Sequence, residues 1–341
     1  MSTLGWGIVG IGNIVNGTIA PAMVAEPECD LVAGVSRSQE RADTFAATFG
    51  ARFAYTDYDA MLANPEVEAV FVATPNALHA EQVLAAARAG KHVLCDKPMA
   101  VTVADAVAEV DACRDAGVKF GINFHNRHLP WVQETRRLIA DGVIGDVLTV
   151  QVEASAGLRP HQGWRNDPEF AGLGTLYNVG VHVLDFLRLI LDAEPVEVVA
   201  LFDDDNGRFA VEIEALVLVR FDNGTRVYVN VNQNNPYPQN DIAVYGSKGR
   251  ITGKSLTRSR VDGELAVLTE QGETVTPYPS PGAHRRSVAA FTRAVLAGEE
   301  PNASGVDGLR SMELCDAIAR SVAERRVVQV VNSALGASVS H

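Results

Sequence analysis

Lys97 stands in the run Leu94-Cys95-Asp96-Lys97-Pro98-Met99, directly after a short apolar stretch at 92–95. A lysine fixed beside a proline at the edge of a sheet can exchange a proton with a substrate hydroxyl once burial lowers its pKa; alone in a loop, a lysine is ordinarily a solvated charge. A second group opens the chain, where Trp6-Gly7-Ile8-Val9 flows into Gly10-Ile11-Gly12-Asn13-Ile14-Val15. Strand, glycine turn and helix start suit a dinucleotide pyrophosphate. The first glycine makes the turn, the second admits phosphate to the backbone, and the helix N-terminus offers unpaired N–H groups. The third small residue of Gly-x-Gly-x-x-Gly/Ala is Val15 here, and glycine turns also occur in α/β proteins without a nucleotide. A third group, Asn178 and His182, is spaced four apart in an apolar helical stretch at 178–191, which places both on one helix face. A lone histidine on such a face also reads as a satisfied core residue. Trp164 and Arg165 offer an aromatic face for apolar C–H surfaces and a guanidinium fork for oxygens, with Arg159 and His161 nearby; a loop tryptophan serves equally as a packing anchor.

The elements that must position these groups follow from periodicity. Apolar runs at 6–9, 31–35, 69–73, 92–95 and 118–122 read as strands, and patterns at 14–25, 39–48, 77–89 and 103–116 read as helices. Gly90 and Gly117 follow two of those helices at C-cap positions. This alternation predicts a doubly wound parallel Rossmann sheet whose ligands lie outside the carboxyl ends of its strands. After residue 140 the runs become longer and alternate, at 146–155, 195–202, 211–221, 225–232 and 241–245, with a hairpin signal at Asp222-Asn223-Gly224. That predicts an α+β domain with a large open mixed or antiparallel sheet, plus helices at 284–297 and 305–323. The division expected is residues 1–122 for the nucleotide-binding domain and 123–341 for a substrate-binding and oligomerisation domain, with the 305–323 helix able to return to the first.

Two loops at the carboxyl edge bear on the cofactor. After Val35 come Ser36, Arg37 and Ser38, with Arg41 a helical turn on, and no carboxylate for a ribose hydroxyl. A hydroxyl and two guanidiniums suit a 2′-phosphate, which predicts NADP over NAD; the plainer reading is that Ser38 caps the next helix and Arg37 is solvated. The run Ala73-Thr74-Pro75-Asn76, with His79, could line the path from phosphates to nicotinamide, or Thr74 and Asn76 could cap the following helix.

Taken together, Gly10-Ile11-Gly12, Ala73-Thr74-Pro75-Asn76 with His79, the run from Ala89 to Pro98, and Gly180-x-His182-x-x-Asp185 resemble the glucose–fructose oxidoreductase and inositol dehydrogenase (Gfo/Idh/MocA) family from residue 5 to about 330. The resemblance implies an N-terminal Rossmann domain, a C-terminal open-sheet domain, and hydride transfer between a nicotinamide and a secondary alcohol or carbonyl of a sugar or polyol. It implies Lys97 and His182 as catalytic groups, with Asp96 where the family has glutamate. It places Asn178 where the family has an aspartate, so Asn178 can hydrogen-bond a hydroxyl but cannot act as a base. Trp164 and Arg165 match the family's loop toward nicotinamide and substrate, and His125 and Arg127 fall in Asn123-Phe124-His125-Asn126-Arg127-His128, which matches its polar inter-domain stretch. Other roles on the same fold are a glycosidase or lyase using transient redox, and a cofactor-sensing regulator.

Composition agrees. The 341 residues suffice for two domains, since single cores stop growing near about 250 to 300 residues. A formal charge of −13 opposes any general attraction to nucleic acid or an anionic membrane. Cys29, Cys95, Cys113 and Cys315 lie far apart, which predicts neither a zinc ribbon nor a disulfide framework and fits a reducing cytoplasm. No metal site is predicted, no apolar run reaches the roughly 20 residues of a membrane span, and the uncovered sheet face predicts a homodimer or homotetramer.

Overall fold

The computed structural model describes residues 2–157, 162–237, 239–255, 263–278 and 282–333, so Arg159 and His161 lie outside the described residues. The chain forms two compact units, one from residues up to Phe124 with His284–Met312, the other from His125–Ala283 with Glu313–Asn332.

In the first unit six parallel strands, β1 (Leu4–Val9), β2 (Cys29–Val35), β3 (Phe53–Tyr55), β4 (Ala69–Val72), β5 (His92–Cys95) and β6 (Phe120–Ile122), lie in the order β3-β2-β1-β4-β5-β6. This is the doubly wound dinucleotide-binding order, and the strand order reverses between β1 and β4. β3, three residues at the sheet edge, is too short to show a period. The core gathers Trp6, Ile8, Phe71 and Leu94 from the strands with Val15 and Ile19 from the segment after the glycine turn. It also takes Val288 and Phe291 from the helix Ala283–Ala297. The Trp6 and Phe291 rings lie 5.5 Å apart, and the indole N–H of Trp6 donates to Thr292 Oγ1 at 3.3 Å. The chain thus returns to the first unit at His284, whereas the sequence pattern kept the 284–297 helix in the second domain and let only the 305–323 helix return. The apolar stripe of the returning helix marks it as buried without saying against which core. The helix Gly305–Glu324 is divided, with residues up to Met312 in the first unit. A Cβ at Gly308 would meet Ile122 at 2.6 Å and Met99 Sδ at 2.7 Å, so this helix start packs directly on β6.

The second unit holds a nine-stranded sheet. Its strands are β7 (Val147–Ser155), β8 (Pro195–Asp203), β9 (Glu214–Phe221), β10 (Arg226–Asn232), β11 (Ile242–Gly246), β12 (Gly249–Lys254), β13 (Gly263–Thr269), β14 (Gly272–Tyr278) and β15 (Val328–Gln329). Their order is β14-β13-β12-β11-β7-β10-β9-β8-β15, antiparallel except where β10 runs parallel to β7. The β9–β10 hairpin turns at Gly224, whose φ of +85° only glycine adopts freely. Val150 and Val152 of β7 and Val227, Val229 and Val231 of β10 point to the buried face; Gln151, Glu153, Tyr228 and Asn230 alternate with them. The stretch Pro168–Leu191 is long and apolar enough to cross a membrane, contrary to the sequence expectation, but 72% of its most apolar 18-residue window is buried inside the fold, as in a core helix. Among the described residues no group of three or more potential ligands could hold a metal, and all four cysteines are free thiols.

Candidate active site

The glycine turn is shaped by contact with its neighbour across the switch point. Gly10 has φ +95°, and a Cβ there would lie 2.6 Å from the Ala73 carbonyl, so no other residue fits without moving β4. At Gly12 a Cβ would find nothing closer than the Gly10 oxygen at 3.9 Å, which leaves open space over the turn for an oxygen-rich ligand. Asn13 is exposed, Ile14 half-buried and Val15 fully buried in the core. The helix start absorbs Val15 by opening into a π turn over Val15–Ile19, followed by the α-helix Ala20–Val24, so the bulky third position is seated without loss of the turn. The cradle therefore fits a dinucleotide pyrophosphate.

At the end of β2, Ser36 is buried and its Oγ accepts from the Ser38 N–H at 3.4 Å, while Arg37 is exposed. Ser38 caps the helix Gln39–Phe49 by accepting from the Arg41 N–H at 3.4 Å. Arg41 also donates through Nη2 to the Ile11 carbonyl at 2.6 Å, which brings a guanidinium onto the glycine turn from 30 residues away. The capping and phosphate readings are thus compatible, since different atoms of this segment serve each.

In the loop after β4, neither the 3-10 turn Asn76–Leu78 nor the helix His79–Arg88 has a side-chain cap, so the capping alternative does not hold. The Thr74 hydroxyl pairs instead with Gln82 Oε1 at 2.7 Å, and Pro75 and Asn76 complete the bend, Asn76 buried. His79 requires a correction. Its ring is buried, with Nδ1 2.8 Å from the Pro98 carbonyl and Nε2 2.9 Å from the Thr74 carbonyl, so it ties the two loops together from beneath rather than offering an edge to a cofactor. Burial pushes its pKa down, against the two carbonyls and Asp96, which favour the charged ring.

Lys97 and Asp96, both half-buried, follow β5. The Asp96 N–H donates to the Val72 carbonyl at 2.8 Å and the Asn123 N–H to the Cys95 carbonyl at 2.8 Å, so the sheet pattern extends past the strand ends and fixes the backbone on which Lys97 sits. Two residues that sequence reasoning missed join this loop. Asn123 Nδ2 donates to Asp96 Oδ1 at 3.2 Å and lies 3.4 Å from His284 Nδ1. His284 titrates at about 4, lowered by burial, with Asp96 raising it and Lys97 lowering it further. It carries no motif signal, being 161 residues from Asn123 in sequence.

The second unit holds the other candidates. Residues Leu176–Gly180 form a π turn leading into the helix Val181–Leu191, so the i,i+4 register expected for Asn178 and His182 does not apply across the turn. The physical reason is tertiary. Glu212, on the segment before β9, accepts from the Gly174 N–H at 2.8 Å and the Leu176 N–H at 2.9 Å, and its carbonyl accepts from the Thr175 N–H at 2.9 Å. A single buried acidic residue thereby satisfies three donors that a plain helix start would leave open. Burial raises its pKa against the lowering effect of those N–H groups. Asn178 is half-buried and His182 nearly buried; the His182 ring meets that of His125 edge to face at 4.3 Å. Arg127 differs from its expected role. It is 3% exposed and its guanidinium grips the fully buried Asp185, with Nε to Oδ1 2.9 Å, Nε to Oδ2 2.7 Å and Nη2 to Oδ1 2.7 Å. A charge so buried needs its partner, so this pair holds the helix of His182 against the turn His125–His128 rather than a substrate. Trp164 and Arg165 lie on the turn Gly163–Asn166, with the exposed guanidinium stacked 4.3 Å over the indole.

Comparison with known proteins agrees with this fold. Residues 4–124 match the model described as "Oxidoreductase family, NAD-binding Rossmann fold", and residues 132–252 match "GFO/IDH/MocA C-terminal domain". The chain is 32% identical to a 1,5-anhydro-D-fructose reductase of Ensifer adhaerens, over 95% of this chain and 98% of that one. It is 30% identical to D-xylose 1-dehydrogenase (NADP(+)) 2 of Haloferax volcanii, over 95% and 99%. Among solved structures, an aldose-aldose oxidoreductase of Caulobacter crescentus complexed with glycerol superposes with a TM-score of 0.89 at 30% identity, covering 96% of this chain and 99% of that one. With the glycine turn, the lysine loop and both domains matched, the chain belongs to the Gfo/Idh/MocA oxidoreductase family.

Proposed function

We propose that this protein is an NADP(H)-preferring oxidoreductase acting on a secondary alcohol or carbonyl of a sugar, polyol or sugar-derived ring. The observation that carries the reading is the glycine turn and the lysine loop at the carboxyl edge of one 3-2-1-4-5-6 sheet. The nicotinamide, when bound, supplies or accepts the hydride. The chain's own part is acid–base and positioning work. Lys97 exchanges the hydroxyl proton and stabilises the oxyanion that develops as the carbonyl forms or is reduced, and His182 assists. Asn178, held by the turn that Glu212 secures, offers an amide to a ring hydroxyl, and the stacked Trp164–Arg165 pair presents a C–H-binding face. Ser36, Arg37 and Arg41 support the preference for a 2′-phosphate. The named relatives, reductases and dehydrogenases of sugars, support the substrate class.

The outward face of the nine-stranded sheet supports a homodimer or homotetramer. It exposes Leu201 and Leu218, and a hollow of about 490 Å³ brings Glu153 and Asp241 together with Arg250 and Lys254, a self-complementary arrangement. Four free thiols support a cytoplasmic location, and the acidic charge supports the absence of nucleic-acid and membrane partners.

The test is titration of NADP(H) and NAD(H) into the protein by tryptophan fluorescence, followed by a panel of aldoses, ketoses and polyols. NADP(H) is expected to bind about tenfold tighter, and Arg41→Ala to erase about that factor, the equivalent of roughly 1.4 kcal/mol. A better kcat/KM with NADH overturns the preference, and no turnover of any sugar or polyol overturns the activity.

A further inference from the structure

We propose that His284 is a positioning residue for Lys97, a neutral imidazole whose tautomer is locked by a hydrogen-bond string running from Asp96 through Asn123. The proposal rests on Lys97 being the group that exchanges the substrate proton. Its three members come from separate parts of the first unit: Asp96 after β5, Asn123 after β6, and His284 in the first turn of the returning helix.

The chemistry follows from one amide. A primary amide nitrogen carries two hydrogens, and Asn123 Nδ2 has two partners, Asp96 Oδ1 at 3.2 Å and His284 Nδ1 at 3.4 Å. The opposite orientation would set the amide oxygen against the Asp96 carboxylate, so the carboxylate decides which way the amide faces. His284 Nδ1 must then accept, and its proton resides on Nε2. Protonating the ring would turn Nδ1–H toward an amide N–H and place a second cation near the Lys97 ammonium.

Burial and the Lys97 charge oppose that protonation, while Asp96 favours it. The neighbouring Arg285 on the same helix is engaged with Glu26 at 2.5 Å. With its ring pushed down to about 4, His284 is uncharged at neutral pH. It lies within electrostatic reach of Lys97 without repelling its charge, and the string it anchors extends through Asn123 to Asp96, the residue bonded to Lys97 in the chain.

The experiment compares His284→Ala, His284→Asn and Lys97→Met in the full-length protein. For His284→Ala, kcat is expected to fall about 10- to 100-fold, the scale of a misplaced catalytic group. The limb of the pH–rate profile that belongs to Lys97 should move, while NADP(H) affinity stays within about twofold, well under the 1.4 kcal/mol that a tenfold change represents. His284→Asn, whose amide oxygen can accept from Asn123, should recover part of kcat and the wild-type limb. A wild-type kcat and pH profile in His284→Ala overturns the proposal, as does an asparagine variant no better than alanine. Nitrogen-15 spectra of the wild-type histidines, with His284 assigned by its loss in the asparagine variant, read the tautomer without any turnover; a protonated Nδ1 in the wild-type protein overturns the string whatever the activity of the variants. Full activity in Lys97→Met would instead overturn the reading of Lys97 on which the proposal rests.

Discussion

The carboxyl edge of the Rossmann sheet and the helix of the second unit solve the same problem, holding reactive groups still, by different means. At the sheet edge the framework is backbone. Gly10 closes on the Ala73 carbonyl, Asp96 and Asn123 continue the strand hydrogen bonds, and His79 joins the Thr74 and Pro98 carbonyls. At the helix Val181–Leu191 the framework is buried charge. Asp185 faces Arg127 from within that helix, and Glu212 secures the π turn before it. Backbone frameworks tolerate side-chain change away from the glycines, whereas a buried charge depends on one partner and fails when that partner is removed.

The sharpest break in this comparison is expected at Lys97. Replacing it with methionine removes the proton-exchanging group and leaves the backbone framework in place, so kcat should fall by about 10²- to 10⁴-fold with little change in thermal unfolding or NADP(H) affinity. A fall of less than tenfold in single-turnover hydride transfer would show that the edge does its work without this side chain.

Asp185→Asn should show the opposite signature. Leaving Arg127 buried without a carboxylate is expected to destabilise the second unit by about 3–5 kcal/mol, read as a lowered denaturant midpoint, while cofactor binding by the first unit persists. An unchanged midpoint would mean that the pair contributes no more than an apolar replacement would.

A smaller effect sharpens the contrast within the first unit, which buries a charge-capable group without a hydrogen-bond partner. Glu109 is fully buried in the helix Val103–Asp115, and neither carboxyl oxygen meets a hydrogen-bond partner among the described residues. Burial, with Asp105 adding to it, raises its pKa well above the ordinary carboxylate value. The fold therefore binds the proton more tightly than the unfolded chain does. The stability this contributes is complete below the unfolded pKa near 4.5 and is lost as pH rises through the raised folded value. Glu109→Gln should flatten that decline and raise the melting temperature at pH 8 by a few degrees, on the order of 2–4 °C for each 1 kcal/mol recovered. Thermal scans of both proteins from pH 5 to 9 that run parallel would rule out a protonated Glu109.

Much of the first unit was legible because its signals are local. The glycine turn, the alternation of strands and helices, the Ser36–Arg41 segment and the lysine loop each involve residues a few positions apart. The Asp222–Gly224 hairpin was legible for the same reason. What escaped was set by distance. The helix at 283–297 shows its apolar stripe in the sequence, but its burial against Trp6 depends on Phe291 and Thr292, nearly the whole chain away. Arg127 and His79 were recognisable as site residues by type, yet their partners gave them structural duties. Asp185 lies 58 residues from Arg127, and the carbonyls around His79 belong to two separate loops. The expected pairing of Asn178 and His182 assumed a regular helix, and Glu212, 36 residues from Leu176, helps hold a π turn there instead.

By itself, then, the sequence determined the dinucleotide-binding sheet, the glycine turn, the lysine at its edge and the open second sheet, because backbone conformation and side-chain period are properties of neighbouring residues. The tertiary structure alone decided which charges are paired and which imidazoles hold backbone or amide, because burial and hydrogen bonding are shared among groups that meet only once the chain has folded.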